Sequence, residues 1–191
     1  PGGRITVDWY AKVYSVARNM IRRISGHQQD IVYIGATAPG PSTPPRNADG
    51  DQYLKSVLTH LNKQGASFDG VSVHAYGGWP NGNPASINLF ENTYKATMKV
   101  INEKAGERNR KPNVIITEFS THSDAARENG SAEFLRQAVA SVSRYNGSTK
   151  GSKISGLVWF SWNIPGFESE SLSRFPQVKN AFKETSAKYA N

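Results

Sequence analysis

Cysteine is absent from the 191 residues of this chain, which excludes a disulfide framework, a cysteine-ligated zinc site and a thiol nucleophile. No apolar run approaches the roughly 20 residues that cross a bilayer, so no membrane partner is expected. The opening Pro1-Gly2-Gly3-Arg4 lacks the apolar core of a secretory leader. Acidic residues are scarce, with 15 Asp and Glu against 23 Lys and Arg, a formal charge of +8. That balance favours anionic partners such as nucleic acid, acidic glycans or charged cell walls. The basic residues, however, fall in short separate clusters, Arg22-Arg23 and Arg108-Asn109-Arg110-Lys111, in or after predicted helices, where cations complement helix C-termini. Without a Gly-rich phosphate loop or a basic-aromatic motif, no nucleic-acid partner is expected.

Hydrophobic residues at 37 % and charged residues at 20 % supply enough apolar surface to offset the ordering entropy of a packed fold. There is no low-complexity stretch or long linker, so residues 1–191 are read as a single domain. Apolar positions Tyr10, Val13, Tyr14, Ala17, Met20, Ile21 and Ile24 recur every three or four residues and predict a helix from about Val7 to Ile24, stopped by Gly26. Further helices are predicted near Asp51 to Gln64, Leu89 to Lys104, Ala132 to Tyr145 and Pro176 to Tyr189. Between them lie four β-rich apolar runs, at Ile31–Ala36, Gly70–Tyr76, Val114–Phe119 and Ile154–Trp162. Strands alternating with helices imply an α/β fold with a parallel sheet, and strands apolar throughout suit burial on both faces. An open doubly wound sheet and part of a closed barrel fit this order equally.

In parallel α/β folds ligands bind where strands reach their C-terminal ends. Those ends carry Thr37, His74 with Tyr76, Glu118, and Trp159 to Asn163. A carboxylate following Val-Ile-Ile-Thr is costly to bury unless hydrogen bonds hold it at the mouth of the sheet. Glu118 therefore points to function, against the plainer reading that it caps a helix or pairs with an arginine. Alternation places His74 and Tyr76 on one side of their strand. A strand-end histidine taken alone is more often structural than catalytic. Trp159, Trp162 and Trp79 offer aromatic faces suited to sugar rings, although core packing is a strong alternative for Trp159 and a weaker one for Trp79. Trp79 sits in the polar loop Gly77-Gly78-Trp79-Pro80-Asn81-Gly82-Asn83.

His74-Ala75-Tyr76-Gly77-Gly78, Ile116-Thr117-Glu118-Phe119 and Val158-Trp159-Phe160-Ser161-Trp162-Asn163 together resemble three consecutive strands of clan A glycoside hydrolases, especially the cellulase-like family 5 and family 39 types. Ile34-Gly35-Ala36-Thr37 resembles the strand before them. The resemblance runs from about residue 7 to 185 and implies a (β/α)8 TIM barrel, of which this chain carries strands five to eight. It implies that Glu118 is the nucleophile of a retaining mechanism, that Tyr76 bonds it, and that His74 lines the same subsite. A strand-eight tryptophan stacks on the sugar in that family; Trp159 matches best and Trp162 is the alternative, since residues three apart on one strand face opposite sides. Asn163, Thr37 and Trp79 complete the expected substrate-binding set, with a carbohydrate as partner.

A retaining mechanism needs a second carboxyl group about 5 Å from the nucleophile. The family keeps it in an Asn-Glu pair ending strand four, which would lie before Pro1. The chain is thus expected to be a fragment of a longer hydrolase, to pair with a missing N-terminal half-barrel or a second copy of itself, or to be a half-barrel that only binds carbohydrate. Glu168 and Glu170 are alternative acids, read as exposed loop residues that are merely solvated. A metal site built from His74, Glu118 and His122 is chemically conceivable, but no close His pair supports it, and neither metal nor cofactor is expected. Secretion is implied by the resemblance alone. Asn129-Gly130-Ser131 and Asn146-Gly147-Ser148 match the glycosylation acceptor pattern.

Overall fold

The computed structural model describes residues 5–37, 47–78, 86–121 and 127–189. Along the chain run α1 (Val7–Arg23), β1 (Tyr33–Ile34), α2 (Asn47–Lys63), β2 (Gly70–His74), α3 (Ile87–Gly106), β3 (Asn113–Phe119), α4 (Glu128–Ser148), β4 (Ile154–Trp159) and α5 (Pro176–Tyr189), with two 3₁₀ turns, Glu168–Glu170 and Leu172–Arg174, before the last helix. The strands form one parallel sheet in the order β1-β2-β3-β4, opening with Tyr33 beside Gly70 and Ile34 beside Val71. Sequence order equals spatial order, as expected where each strand is followed by a helix that returns the chain for the next.

The chain divides into two compact units. One comprises Pro1–Val73, Ala96–Ile115 and Gly151–Ser155; the other comprises His74–Lys95, Ile116–Lys150 and Gly156–Asn191.

In the first unit Thr6 caps α1, its hydroxyl accepting the Trp9 amide at 3.3 Å, while Asp8 in the first turn and Arg22 and Arg23 in the last complement the helix dipole. Asp69, just before β2, is the polar anchor. Its carboxylate accepts Arg18 Nε at 3.0 and 2.9 Å, Arg18 Nη2 at 2.8 Å and Arg22 Nη2 at 2.9 Å. Burial would raise the Asp69 pKa, but the bonds and charge of Arg18, the Val32 amide and the charge of Arg22 together outweigh it and hold the carboxyl below its ordinary value.

The same group shortens β1. Val32 gives its amide to Asp69 at 3.4 Å, the Val32 carbonyl accepts the Tyr14 hydroxyl at 2.9 Å, and the Gly35 amide donates to the Tyr10 hydroxyl at 2.7 Å. Side chains take the backbone groups that a longer strand would use, so the predicted Ile31–Ala36 run reduces to two residues.

Only Ala11 and Tyr14 of α1 are buried. Trp9, Val13, Val16 and Met20 recur at four-, three- and four-residue spacing and are 55, 44, 50 and 62 % exposed, with Ile24 beyond the helix at 55 %. This contiguous apolar stripe is left wet in the described chain.

The second unit has an aromatic core. Phe90 packs against Tyr94, Phe119 and Phe134 at centroid separations of 5.1, 5.9 and 5.8 Å. The buried Tyr94 hydroxyl is satisfied by Ser141 Oγ at 2.9 Å, as an interior phenol requires. Both glycosylation-pattern asparagines lie inside α4, which begins at Glu128, four residues before the predicted start. The Glu128 carboxylate there accepts the Gln177 amide at 2.6 Å, in the first turn of α5.

Candidate active site at the carboxyl ends of β2, β3 and β4

Residues His74, Tyr76, Glu118, Trp159 and Trp162 all belong to the second unit. Beyond the end of β2 the backbone still follows β3: the Ala75 amide donates to the Glu118 carbonyl and the Gly77 amide to the Ser120 carbonyl, each at 2.9 Å. This register, with strand alternation, sends His74 and Tyr76 to one side while Ala75, fully buried, turns to the other. The Tyr76 hydroxyl donates to Glu118 Oε2, and His74 Nδ1 lies 3.3 Å from that same oxygen.

Tyr76 thus bonds one carboxylate oxygen and His74 lies beside that same oxygen, while Oε1 has no protein partner among the described residues. The His74 and Glu118 side chains are 21 and 32 % exposed, enough for a ligand to reach them and too little for free solvation. Burial pushes the His74 pKa down, with the nearby Glu118 charge partly offsetting it. The imidazole is therefore neutral at neutral pH. Burial, then the bond to Glu118, then the negative fields of Glu118 and Glu170 push the Tyr76 phenol well above its ordinary range, so it stays a donor at any working pH.

Trp159 is the last residue of β4 and only 6 % exposed. Its indole N–H donates to the Glu170 carbonyl at 2.8 Å, and its ring meets Phe119 and Phe134 edge-on at 5.2 and 6.4 Å. The Phe160 amide still donates to the Phe119 carbonyl of β3 at 3.0 Å, but the pairing does not continue to Trp162, because the Ser161 amide turns away to the Glu170 carbonyl at 3.2 Å and Leu172 donates back to Ser161 at 2.9 Å. Strand alternation therefore does not govern Trp162, which is 60 % exposed. Asn163 beside it is exposed.

Thr37 is half-buried in the first unit, where it lines a cavity of about 720 Å³ with Tyr10, Tyr53, Leu54 and Val57. Trp79 and His122 lie outside the described residues. Among the described residues no group of three metal-ligating side chains occurs, and no helix is long and apolar enough to cross a membrane.

Glu170 requires a correction. Read from sequence as an exposed loop acid, it is 3 % exposed. Ser169 Oγ donates to its carboxylate at 2.7 Å, and its field reaches Tyr76. Nothing in Phe167-Glu168-Ser169-Glu170-Ser171 marks one glutamate for burial; the 3₁₀ turn that folds back onto the end of β4 does so.

Comparison with known proteins follows this geometry. A family model, that of the glycosyl hydrolase catalytic core, matches residues 11–172. No curated protein shows significant similarity to the sequence. Among solved structures, an endo-β-1,3-glucanase of family 128 from Amycolatopsis mediterranei, in complex with laminaritriose, superposes with a TM-score of 0.60 at 16 % identity, over 95 % of this chain and 66 % of its own. The endo-1,4-β-xylanase XylE of Penicillium canescens gives 0.54 at 18 % identity over 93 and 53 %. A Clostridium thermocellum xylanase carrying a family 10 module, with xylohexaose, gives 0.57 at 15 % identity over 94 and 36 %. The chain thus spans just under two thirds of the glucanase, and its α/β fold is similar to that of barrel glycosidases.

Proposed function

Since the chain belongs to the glycosyl hydrolase catalytic core family, we propose that it forms the nucleophile-bearing part of a retaining O-glycoside hydrolase acting on a β-linked oligo- or polysaccharide. The observation that carries this reading is the asymmetric hold on Glu118. Tyr76 and His74 address Oε2, which orients the carboxylate and leaves Oε1 to attack an anomeric carbon. Attack breaks the glycosidic bond and forms a glycosyl-enzyme ester while a second carboxyl group about 5 Å away protonates the departing oxygen; the same group, now a carboxylate, takes a proton from the water that cleaves the ester and frees Glu118. The neutral His74 and protonated Tyr76 do not compete for the proton chemistry; they fix geometry and lower the cost of holding a carboxylate in a half-buried site. Solved neighbours that act on β-1,3-glucan and β-1,4-xylan support a β-linked substrate. Trp162, with its accessible ring, is the favoured stacking surface, and Trp159 supports the site from within the core.

We place the acid/base glutamate on a segment preceding Pro1, in the remaining β/α units of a (β/α)8 barrel of the general clan A kind. The wet apolar stripe of α1 supports a covering partner, either those units or a second copy of the chain. Extracellular action is proposed from resemblance alone, and cell fractionation tests it. The functional test is Glu118→Gln in the longest native form of the protein, assayed on β-glucans, β-xylans and β-mannans. Loss of turnover by at least about a thousandfold is expected, with the fold intact; full activity would overturn the assignment. A second reading, a half-barrel that only binds carbohydrate, is favoured instead if glycan binding persists while no assembled form of the wild type hydrolyses anything.

A further inference from the structure

Trp162 is not merely exposed; it is held out. Its carbonyl accepts the Ser171 hydroxyl at 2.6 Å and the Ser173 amide at 3.1 Å. Ser171 and Ser173 also bond each other at 3.0 Å. With the paired Ser161, Glu170 and Leu172 backbones, these bonds tie the Trp162 backbone to the two 3₁₀ turns that follow it. A large aromatic left wet on a rigid mount loses little conformational entropy when a ligand stacks on it.

One further group addresses the ring. Lys179, in the first turn of α5, carries its ammonium over the Trp162 face at 5.4 Å from the centroid. Among the described residues no carboxylate pairs with it. A sugar ring that stacks on this face must displace the ammonium and so forfeits the cation–π contact. Lysine has a flexible four-carbon stem, and the displaced charge stays beside the bound sugar. A neutral sugar gives nothing back for that displacement, whereas a sugar bearing a carboxylate at its edge regains an ion pair.

We propose that Trp162 and Lys179 form a subsite selective for an acidic sugar, a uronosyl unit or uronosyl branch on the β-linked substrate. This deepens the hydrolase reading above and rests on it for the identity of the chain as a glycan enzyme. The chain's formal charge of +8 works in the same direction by attracting polyanionic glycans.

The experiment is a calorimetric binding comparison on Glu118→Gln protein, which removes turnover, using a glucuronate-bearing xylo-oligosaccharide and its neutral counterpart. Lys179→Gln is expected to weaken the acidic ligand about fivefold, to leave the neutral one equal or slightly tighter, and to abolish most of the salt dependence of acidic binding. Trp162→Ala should weaken both. A sulfated oligosaccharide in parallel separates carboxylate selectivity from general anion attraction, and tighter binding of the sulfated ligand would overturn the uronosyl assignment. An acidic-to-neutral affinity ratio unchanged within twofold by Lys179→Gln overturns the subsite itself. If no oligosaccharide binds and Trp162→Ala changes nothing, the hydrolase reading has failed as well, which separates the two failures.

Discussion

The backbone around the site leaves no room for a single added methyl at Gly77, one residue beyond Tyr76. A Cβ there would stand 2.1, 2.4 and 2.8 Å from three carbons of the Phe134 ring. Carbon contacts settle near 3.5 Å, so the ring must withdraw by about 1.4 Å or the backbone must move by as much. Phe134 is 2 % exposed and bears edge-on against Phe90 and Trp159, so its retreat disturbs two further buried rings. Gly77 is tied on both sides as well, its amide to Ser120 at 2.9 Å and its carbonyl to the Ser86 amide at 2.7 Å. Gly77→Ala should therefore cost about 3 kcal/mol, the upper end of the overpacking range. Urea unfolding followed by circular dichroism measures this as a fall in midpoint with unchanged slope. Phe134→Leu alone should cost about 1–2 kcal/mol, and combining the two should recover about 2 kcal/mol of the alanine penalty, because the leucine vacates the space the methyl needs. A Gly77→Ala cost below about 0.5 kcal/mol, or simple additivity with Phe134→Leu, would refute the steric argument.

Tyr76→Phe removes the hydroxyl held by Glu118 and should lower kcat about tenfold to a hundredfold with a smaller change in KM, as expected for a bond to a charged group; steady-state kinetics on a soluble β-glycan decide it. His74 should titrate below about 6.5 by NMR, and its midpoint should fall further in Glu118→Gln, since that charge opposes the effect of burial; a rise would contradict the geometry. Asp69→Ala strands Arg18 and Arg22 and should destabilise the chain by about 2–3 kcal/mol at neutral pH. Because the Asp69 pKa is depressed in the folded state, this stability is complete above the unfolded carboxylate value of about 4 and is lost as pH falls through the lower folded value. The gap between wild type and Asp69→Asn should therefore close in acid, as paired urea titrations at successive pH values will show.

Much of the architecture was legible because helices with a sustained apolar period announce themselves. The predicted helix ending near Tyr189 has the observed limits, Pro176–Tyr189, and α1 differs from prediction by one residue. Strand limits were less legible. β1 shrinks because Tyr10, Tyr14 and Asp69, distant in sequence, take its backbone groups, and β4 ends three residues early because the chain turns to meet Glu170. At the site, a period of two was enough to place His74 and Tyr76 on one side, and the structure brings both to Glu118. The burial of Trp159 and Glu170 could not be read, since each depends on the 3₁₀ turns after β4, which have no periodicity of their own. Thr37 was grouped with Glu118 by its place after a strand; it belongs to the first unit, where it lines a cavity.

The apolar stripe on α1 bears on how preparations of this chain are judged. Dyes that brighten on apolar surface are commonly taken to report a molten state, one that has lost fixed tertiary packing. Here a fully native helix presents Trp9, Val13, Val16 and Met20 to water, so strong dye fluorescence should coexist with an intact near-ultraviolet spectrum. A sample rejected as misfolded on the dye signal alone could be the native protein with one apolar helix face exposed.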